Sequence, residues 1–199
     1  MVIIGRLLFA ALAGCFAVFI LIVFRSPGRV EGGREKSPRS VRLGVLLQSV
    51  SYAFAWSFRR PRVNLFGGAA LWPDMLIAGL SLAMALGAIV LAASAKKRLG
   101  KHWALAARVV DGHHLVTSGP FGRVRHPLYT AMGMLCLSAI IGLSSWLGAV
   151  LACLLFLVGT SLRARAEDSL LIEAFGREYE EYRRRVPAYL PRLNVSPPK

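Results

Sequence analysis

Four long stretches without charged side chains alternate with segments rich in Arg and Lys. The uncharged stretches cover residues 7–24, 43–58, 75–95 and 128–162. About 20 consecutive apolar residues are needed for a helix to cross a membrane. Each stretch therefore predicts membrane-spanning helix, and residues 43–58 form the shortest of the four.

The last uncharged stretch is too long for a single span. Its 35 residues would make a helix of about 52 Å, whereas the apolar core of a bilayer is about 30 Å thick. The sequence Gly-Leu-Ser-Ser at 142–145, near its middle, suits a turn. We predict a hairpin of two antiparallel helices, which brings Arg125, His126 and Arg163 to the same membrane face.

The segment after the hairpin has the pattern of an amphipathic helix. Apolar and aromatic residues recur with charged residues between them, at Leu171, Phe175, Tyr179, Tyr182 and Val186. This spacing predicts a helix that lies at the membrane interface or folds over the open end of the hairpin. Gly176 weakens the helix in its middle.

Composition supports an all-α integral membrane protein with about five transmembrane helices. Of 199 residues, 55% are hydrophobic, yet the net charge is +15. This combination favours anionic membrane lipid as a partner and argues against nucleic acid. With five spans, alternate segments carry 21 and 4 of the Lys and Arg residues. The positive-inside rule therefore predicts a multi-pass topology with the open end of the hairpin at the cytoplasmic face.

The chain divides into two regions. Residues 1–98 hold the first three helices and their basic loops, and residues 99–199 hold a loop, the hairpin and the amphipathic helix, where we expect the chemistry. Cys15, Cys136 and Cys153 lie within apolar stretches and far from the histidines, so we predict no metal site. The sequence has neither a G-x-G-x-x-G motif nor a P-loop, which argues against a soluble nucleotide-binding domain.

Two groups of residues at the hairpin ends are candidates for function. Pro127 favours the first helical turn, which places His126 at the N-cap, with the free N–H groups of Leu128 and Tyr129 available to a carboxylate. The positive helix end is expected to lower the pKa of His126 and keep it neutral. Arg163 and Glu167 lie four residues apart on one helix face, a spacing that also suits a simple ion pair.

These residues belong to two longer motifs. "HHLVTSGPFGRVRHPLYTA" (113–131) and "RARAEDSLLIEAFGREYEEYRRRVPAYLP" (163–191) together resemble the isoprenylcysteine carboxyl methyltransferase family. Its members are integral membrane enzymes that use S-adenosylmethionine, and they are related to the phospholipid N-methyltransferases. The resemblance covers roughly residues 99–193.

The resemblance implies a role for each matching residue. Arg163 would bind the substrate and His126 would serve the reaction. Contacts to S-adenosylmethionine would come from His113, His114, Leu115, Val116, Phe121, His126, Pro127, Leu128, Tyr129 and Glu167. This chain departs from the family pattern at Phe121, where Tyr is frequent, at Ala131, where Gly is frequent, and at Asp168, which replaces a second Glu.

The expected reaction is methyl transfer to a lipophilic or small-molecule acceptor. A carboxylate acceptor needs no base and could be held by Arg163, whereas an amine or thiol must lose a proton, for which neutral His126 or His114 would be the base. The acceptor stays open between a prenyl cysteine carboxylate, a phospholipid amine and a small thiol. Two other hypotheses stay open: a membrane reductase that uses NADPH, and a non-catalytic protein that binds anionic lipid. The sequence does not predict an oligomeric state.

Overall fold

Six α-helices make up most of the chain that the computed structural model describes, which comprises residues 2–25, 34–35, 39–59, 72–100, 108–109 and 115–192. The helices are α1 (Val2–Phe24), α2 (Arg39–Ser57), α3 (Trp72–Leu99), α4 (Pro127–Leu143), α5 (Trp146–Phe175) and α6 (Arg177–Arg185). Two short strands, β1 (Arg34–Glu35) and β2 (Arg108–Val109), pair antiparallel. A 3₁₀ helix at Gly119–Gly122 precedes α4.

The predicted all-α membrane fold is confirmed. Among the described residues, α1 from Gly5, α3 and α5 are long and apolar enough to cross a membrane, and α4 is a shorter apolar helix. The helix predicted over residues 43–58 is present as part of α2, which begins earlier, at Arg39, and ends at Ser57, one residue before the predicted end. The number of helices that cross the membrane stays a prediction.

The predicted hairpin is also confirmed. Helix α4 ends at Leu143 and α5 begins at Trp146, with Ser144 and Ser145 between them. Both serines have extended backbone conformations, and the Ser145 side chain accepts a hydrogen bond from the Gly148 N–H. This contact satisfies one of the free N–H groups in the first turn of α5.

Hydrogen bonds between helices show that α1 to α5 alternate in direction. Lys96, near the end of α3, donates to the carbonyls of Ile22 and Arg25 at the end of α1. At the opposite end of the molecule, Ser144 of the hairpin turn donates to the Ala55 carbonyl of α2. The C-terminal ends of α1, α3 and α5 therefore lie at the same end of the bundle as the N-terminal ends of α2 and α4.

Helices α2 and α5 cross closely because glycines face each other. A Cβ atom on Gly44 would lie 2.7 Å from the Gly159 carbonyl oxygen, and a Cβ on Gly159 would lie 2.7 Å from the Gly44 carbonyl oxygen. Small residues allow such close backbone approach between membrane helices. The crossing brings Gln48 of α2 against Gly159, Thr160 and Arg163 in the middle of α5.

The C-terminal amphipathic helix is shorter than the pattern predicted. It breaks at Gly176, which has φ of +53°, and only Arg177–Arg185 forms α6. Glycine adopts this conformation without the steric cost that other residues carry. The buried face of α6 carries Tyr179 and Tyr182, so the predicted amphipathicity is confirmed. Its position relative to a membrane stays a prediction.

Candidate active site

His126 lies at the centre of the charged end of the bundle. Pro127 is the first residue of α4 and His126 is its N-cap, as the sequence predicted. The residue is only 3% exposed. The chain beyond α6 returns to this point, because the backbone N–H of Arg125 donates to Pro187 and that of His126 donates to Ala188.

Asp168 joins three parts of the structure around His126. Its Oδ1 lies 3.0 Å from His126 Nε2 and accepts a hydrogen bond from the Tyr179 hydroxyl of α6. Its Oδ2 lies 3.4 Å from Arg125 Nη1 and 3.8 Å from Arg183 Nε. One carboxylate on α5 therefore links the start of α4 to α6. From the sequence, Asp168 was a departure from the family pattern and a residue on the helix face adjacent to that of Arg163 and Glu167, without an assigned role.

Glu167 approaches the other side of the imidazole. Its Oε2 lies 3.6 Å from His126 Nδ1, and its side chain is about one third exposed. The buried Nδ1 atom makes no hydrogen bond within the described part of the chain. Glu167 also interacts with Tyr129 in the first turn of α4. The cluster is thus closed on the Asp168 side and partly open on the Glu167 side.

The carboxylates determine the charge of His126. Burial alone would lower the pKa of the imidazole, but Asp168 and Glu167 outweigh it and raise the pKa of His126 to about 9. The imidazole is therefore protonated at neutral pH. The expectation of a lowered pKa and a neutral His126 was wrong, because it considered the helix terminus and neither of the two nearby carboxylates.

Arg163 is buried one turn before Glu167 on α5. Its guanidinium donates from Nη1 to Gln48 Oε1 over 2.5 Å, and its Cζ lies 5.0 Å from the centre of the Tyr129 ring. Guanidinium groups bind favourably over aromatic faces. Arg163 also interacts electrostatically with Glu167. The two candidates that the helical spacing identified therefore lie within one cluster with His126 and Tyr129.

The other predicted contact residues lie in different environments. Pro127 is buried at the start of α4, while the Leu128 side chain packs against the apolar core. Phe121 lies in the 3₁₀ helix, and its carbonyl accepts a hydrogen bond of 2.7 Å from the Tyr182 hydroxyl. Leu115 and Val116 are partly buried. His113 and His114 lie outside the described residues.

Comparison with protein families identifies the relatives of this architecture. The phospholipid methyltransferase family model matches residues 75–178, just over half of the chain. The chain belongs to the phospholipid methyltransferase family. The matched residues include His126, Arg163, Glu167 and Asp168. Both α1 and α2 lie outside the matched region, as does most of α6.

Individual relatives carry two kinds of name. The chain is 34% identical to a cobalt-zinc-cadmium resistance protein of Cupriavidus metallidurans over 77% of its length, and 33% identical to a nickel-cobalt-cadmium resistance protein of Alcaligenes xylosoxydans xylosoxydans over 67%. It is 28% identical to a probable protein-S-isoprenylcysteine O-methyltransferase of Oryza sativa subsp. indica over 86%. The predicted relationship to isoprenylcysteine and phospholipid methyltransferases is confirmed.

The relatives also differ in how much of their length is matched. The chain covers 65% and 60% of the two metal-resistance proteins and 92% of the rice protein. The metals in the names of the two resistance proteins describe those proteins and not this chain. Within the described residues of this family member, no group of three or more His, Cys, Asp or Glu side chains is placed to hold a metal ion.

Sequence reasoning missed Gln48 and the two tyrosines of α6 as parts of this cluster. Gln48 carried a signal, since it is the only amide side chain within the uncharged stretch 43–58. Tyr179 and Tyr182 were assigned to an apolar face, and their hydroxyl groups reach Asp168 and the Phe121 carbonyl. The contacts of Gln48 with Arg163 and of Tyr182 with Phe121 join residues 115 and 61 positions apart, so no local motif could reveal them. Tyr179 is 11 positions from Asp168, but the helix breaks at Gly176 between them, so helical periodicity could not bring the two together.

Proposed function

We propose that this protein is a membrane methyltransferase that uses S-adenosylmethionine and methylates a lipophilic or small acceptor with an anionic group, most simply a carboxylate. The observation that carries the proposal is the convergence of His126, Arg163 and Glu167 at the open end of the α4–α5 hairpin, within the region that matches the phospholipid methyltransferase family. The named relatives include probable protein-S-isoprenylcysteine O-methyltransferases, which supports a carboxylate acceptor.

The cluster fits the polar groups of S-adenosylmethionine. Nδ1 of His126 is buried without a hydrogen-bond partner in the described chain, and the partly exposed Glu167 carboxylate lies beside it. Glu167 could accept hydrogen bonds from the ammonium or ribose hydroxyl groups of the cofactor, and protonated His126 could donate from Nδ1 to its carboxylate. The free N–H groups of Leu128 and Tyr129 at the start of α4 would add donors there.

Arg163 would hold the acceptor. S-adenosylmethionine supplies an electrophilic methyl group on a sulfonium. An acceptor carboxylate can hydrogen-bond to the guanidinium, which fixes one of its oxygens in position for attack. Because opposite charges combine into neutral products, burial of the site from water favours the transition state over the separated ions.

The charge of His126 supports a carboxylate over an amine or thiol. An amine or thiol acceptor must lose a proton, and an imidazole with a pKa of about 9 is already protonated at neutral pH. It is therefore unsuited to act as the base, the role that the sequence analysis considered for His126 or His114; His114 lies outside the described residues. A carboxylate brings no proton to remove, so this site can serve it without a base.

We further propose that the protein crosses the membrane several times, with this cluster at the cytoplasmic face. The alternating directions of α1 to α5 place the basic last turn of α3, with Lys96, Lys97 and Arg98, at the same end of the bundle as the C-terminal half of α5, which carries Arg163 and Arg165. Arg and Lys are enriched on the cytoplasmic side of membrane proteins. A water-soluble cofactor would then reach the site from the cytoplasm and a lipophilic acceptor from the bilayer.

Calorimetric titration of the detergent-purified protein with S-adenosylhomocysteine tests the cofactor. We expect saturable binding that Glu167→Gln and His126→Ala each abolish. Glu180→Gln removes an exposed carboxylate from α6 and should bind as the unchanged protein does. If the folded protein binds NADPH and gives no heat with S-adenosylhomocysteine, it is a reductase and the proposal is wrong.

Transfer of a radioactive methyl group from S-adenosylmethionine tests the acceptor. We would compare N-acetyl-S-farnesylcysteine, phosphatidylethanolamine and decanethiol in detergent. Methylation of the first, with its loss in Arg163→Met, would support a carboxylate acceptor. Methylation of phosphatidylethanolamine or the thiol alone would overturn the choice of acceptor while leaving the cofactor assignment intact.

A further inference from the structure

We infer that Gln48 of α2 is a positioning residue that fixes the Arg163 guanidinium for the anionic group of the acceptor. The inference rests on the proposed function of Arg163 and assigns a role to a helix outside the region that matches the family. Its basis is a buried chain of hydrogen bonds from Thr160 through Gln48 to Arg163.

The amide of Gln48 can take only one orientation here. Its Nε2 donates to Thr160 Oγ1 over 2.7 Å, and its Oε1 accepts from Arg163 Nη1 over 2.5 Å. A guanidinium has no acceptor, so a rotated amide would place two donors against each other. Gln48 is 2% exposed, and Thr160 lies one turn before Arg163 on α5. Both ends of the amide therefore act on the same helix.

Tyr129 restricts the position of the Arg163 guanidinium from the side of α4. Its ring lies 5.0 Å from Arg163 Cζ and belongs to the first turn of α4, which also carries His126. Contacts with Gln48 on α2 and Tyr129 on α4 thus place the guanidinium between two helices. A long arginine side chain loses considerable conformational entropy when it is fixed. Fixing it before the acceptor arrives reduces the entropy lost on binding.

The glycine crossing makes the contact possible. A Cβ on Gly44 would lie 2.6 Å from Arg163 Cγ, and a Cβ on Gly159 would lie 3.1 Å from Gln48 Cγ. The Arg163 and Gln48 side chains therefore occupy space that larger residues at these two positions would fill. A buried amide is costly in an apolar environment unless its hydrogen bonds are made. The crossing that brings α2 onto α5 also satisfies both polar ends of Gln48.

Two substitutions test the hydrogen bonds of Gln48 separately from the size of its side chain and from its lack of charge. Gln48→Met keeps the length of the side chain and removes both hydrogen bonds. Gln48→Glu keeps an acceptor for Arg163 but adds a negative charge that competes with an anionic acceptor. Ser51→Ala is the matched control, because Ser51 lies one turn along the same buried face and donates to Ala152 of α5 over 2.7 Å without reaching Arg163.

Nitrogen-15 NMR of the guanidinium in detergent micelles reports the orientation directly, with the Arg163 signal assigned through Arg163→Lys. We expect slow rotation about the Cζ–Nη bonds in the unchanged protein and in Gln48→Glu and Ser51→Ala, and faster rotation in Gln48→Met. Unchanged rotation in Gln48→Met would overturn the inference whether or not the protein proves to be a methyltransferase.

Kinetics then test whether the orientation serves the acceptor. With N-acetyl-S-farnesylcysteine as the probe, we expect KM to rise about tenfold in Gln48→Met, the effect of one lost hydrogen bond to a charged group. Gln48→Glu should raise KM as well, although it restores the rotation signal. Affinity for S-adenosylhomocysteine should stay within twofold in both variants, and Ser51→Ala should change neither quantity.

The remaining outcomes distinguish the two proposals. If Gln48→Met and Ser51→Ala raise KM equally, Gln48 contributes only to packing between α2 and α5 and the inference is wrong. If the unchanged protein binds S-adenosylhomocysteine but does not methylate the carboxylate probe, the role toward an anionic acceptor is wrong. If it does not bind S-adenosylhomocysteine, the proposed function fails, while the rotation measurement still decides whether Gln48 orients Arg163.

Discussion

The two ends of the α4–α5 hairpin differ in the contacts that compensate for the burial of their polar groups. At the turn, the contacts are neutral: the Ser144 hydroxyl donates to the Ala55 carbonyl over 2.6 Å and the Ser145 N–H donates to the Phe58 carbonyl over 2.6 Å. At the open end, charged side chains converge instead, with His126 held between Asp168 and Glu167.

This difference indicates that the turn serves packing, whereas the open end serves chemistry. Short serine side chains can pair with a backbone carbonyl at little entropic cost, so the turn is a stable way to close the hairpin. Buried charges carry a desolvation cost and add stability only when their partners are well placed. Their concentration at the open end, beside the partly exposed Glu167, is therefore better explained by function than by stability.

Replacing Asp168, at the open end of the hairpin, should cause the largest loss of stability. Asp168→Asn removes the charge that faces His126, Arg125 and Arg183, and it leaves the largely buried Arg125 without this counter-ion and His126 with Glu167 alone. We expect a loss of about 3 kcal/mol in the free energy of unfolding, measured by SDS titration in detergent, and weaker binding of S-adenosylhomocysteine. Asp74→Asn is the control, because Asp74 lies in the first turn of α3, at the other end of the bundle. Equal losses in the two variants would refute the special role of Asp168.

The charge of His126 predicts a pH dependence of nearly the same size. The pKa of His126 is raised from 6.5 to about 9 in the folded protein, so its stabilising effect is fully present below about pH 6.5 and is lost as the pH rises through about 9. We expect the free energy of unfolding to fall by roughly 2 to 3 kcal/mol between pH 7 and pH 10.

Unfolding by SDS at a series of pH values measures this effect. Asp168 and Glu167 face the imidazole, and Tyr129 and Tyr189 lie beside it. His126→Gln removes the group that titrates and should flatten the profile over the same range. A fall that persists in His126→Gln would show that another group is responsible.

At the turn, the corresponding test is steric. A Cβ on Gly148 would lie 2.5 Å from Phe58 Cβ and 3.1 Å from the Phe58 carbonyl oxygen, so Gly148→Val should force α2 away from α5. We expect a loss of about 2 kcal/mol in the free energy of unfolding, typical of overpacking. In the control Gly79→Val, a Cβ meets no other atom within 4 Å. A similar loss in both variants would indicate a general effect of Val in a helix.

Local chemistry explains why the hairpin and its ends could be predicted. The uncharged run was too long for one span, the Gly-Leu-Ser-Ser sequence supplied the turn, and Pro127 fixed the start of α4, where His126 became the N-cap. The spacing of Arg163 and Glu167 placed both on one face of α5. Each of these inferences depends on residues within one continuous segment of the chain.

The charge of His126 and the role of Gln48 depend on contacts across long sequence separations. Gln48 and Arg163 are 115 residues apart and His126 and Asp168 are 42 apart. Helical periodicity placed Asp168 on a face adjacent to that of Arg163 and Glu167, but it could not reveal that α4 and α6 meet there. The sequence therefore indicated the candidates, while their partners and protonation required the tertiary structure.

The smallest effect is expected at the neutral end, from Ser144→Ala. Ser144 is 2% exposed, and losing its hydroxyl leaves the Ala55 carbonyl without this hydrogen bond. Such a loss costs about 1 kcal/mol, measured as the shift in SDS unfolding. Ser49→Ala removes an exposed bond to the Val45 carbonyl on the same helix as Ala55 and should cost less. Because the turn is distant from the cluster, S-adenosylhomocysteine affinity should be unchanged in both, and a tenfold loss in Ser144→Ala would contradict the separation between the two ends.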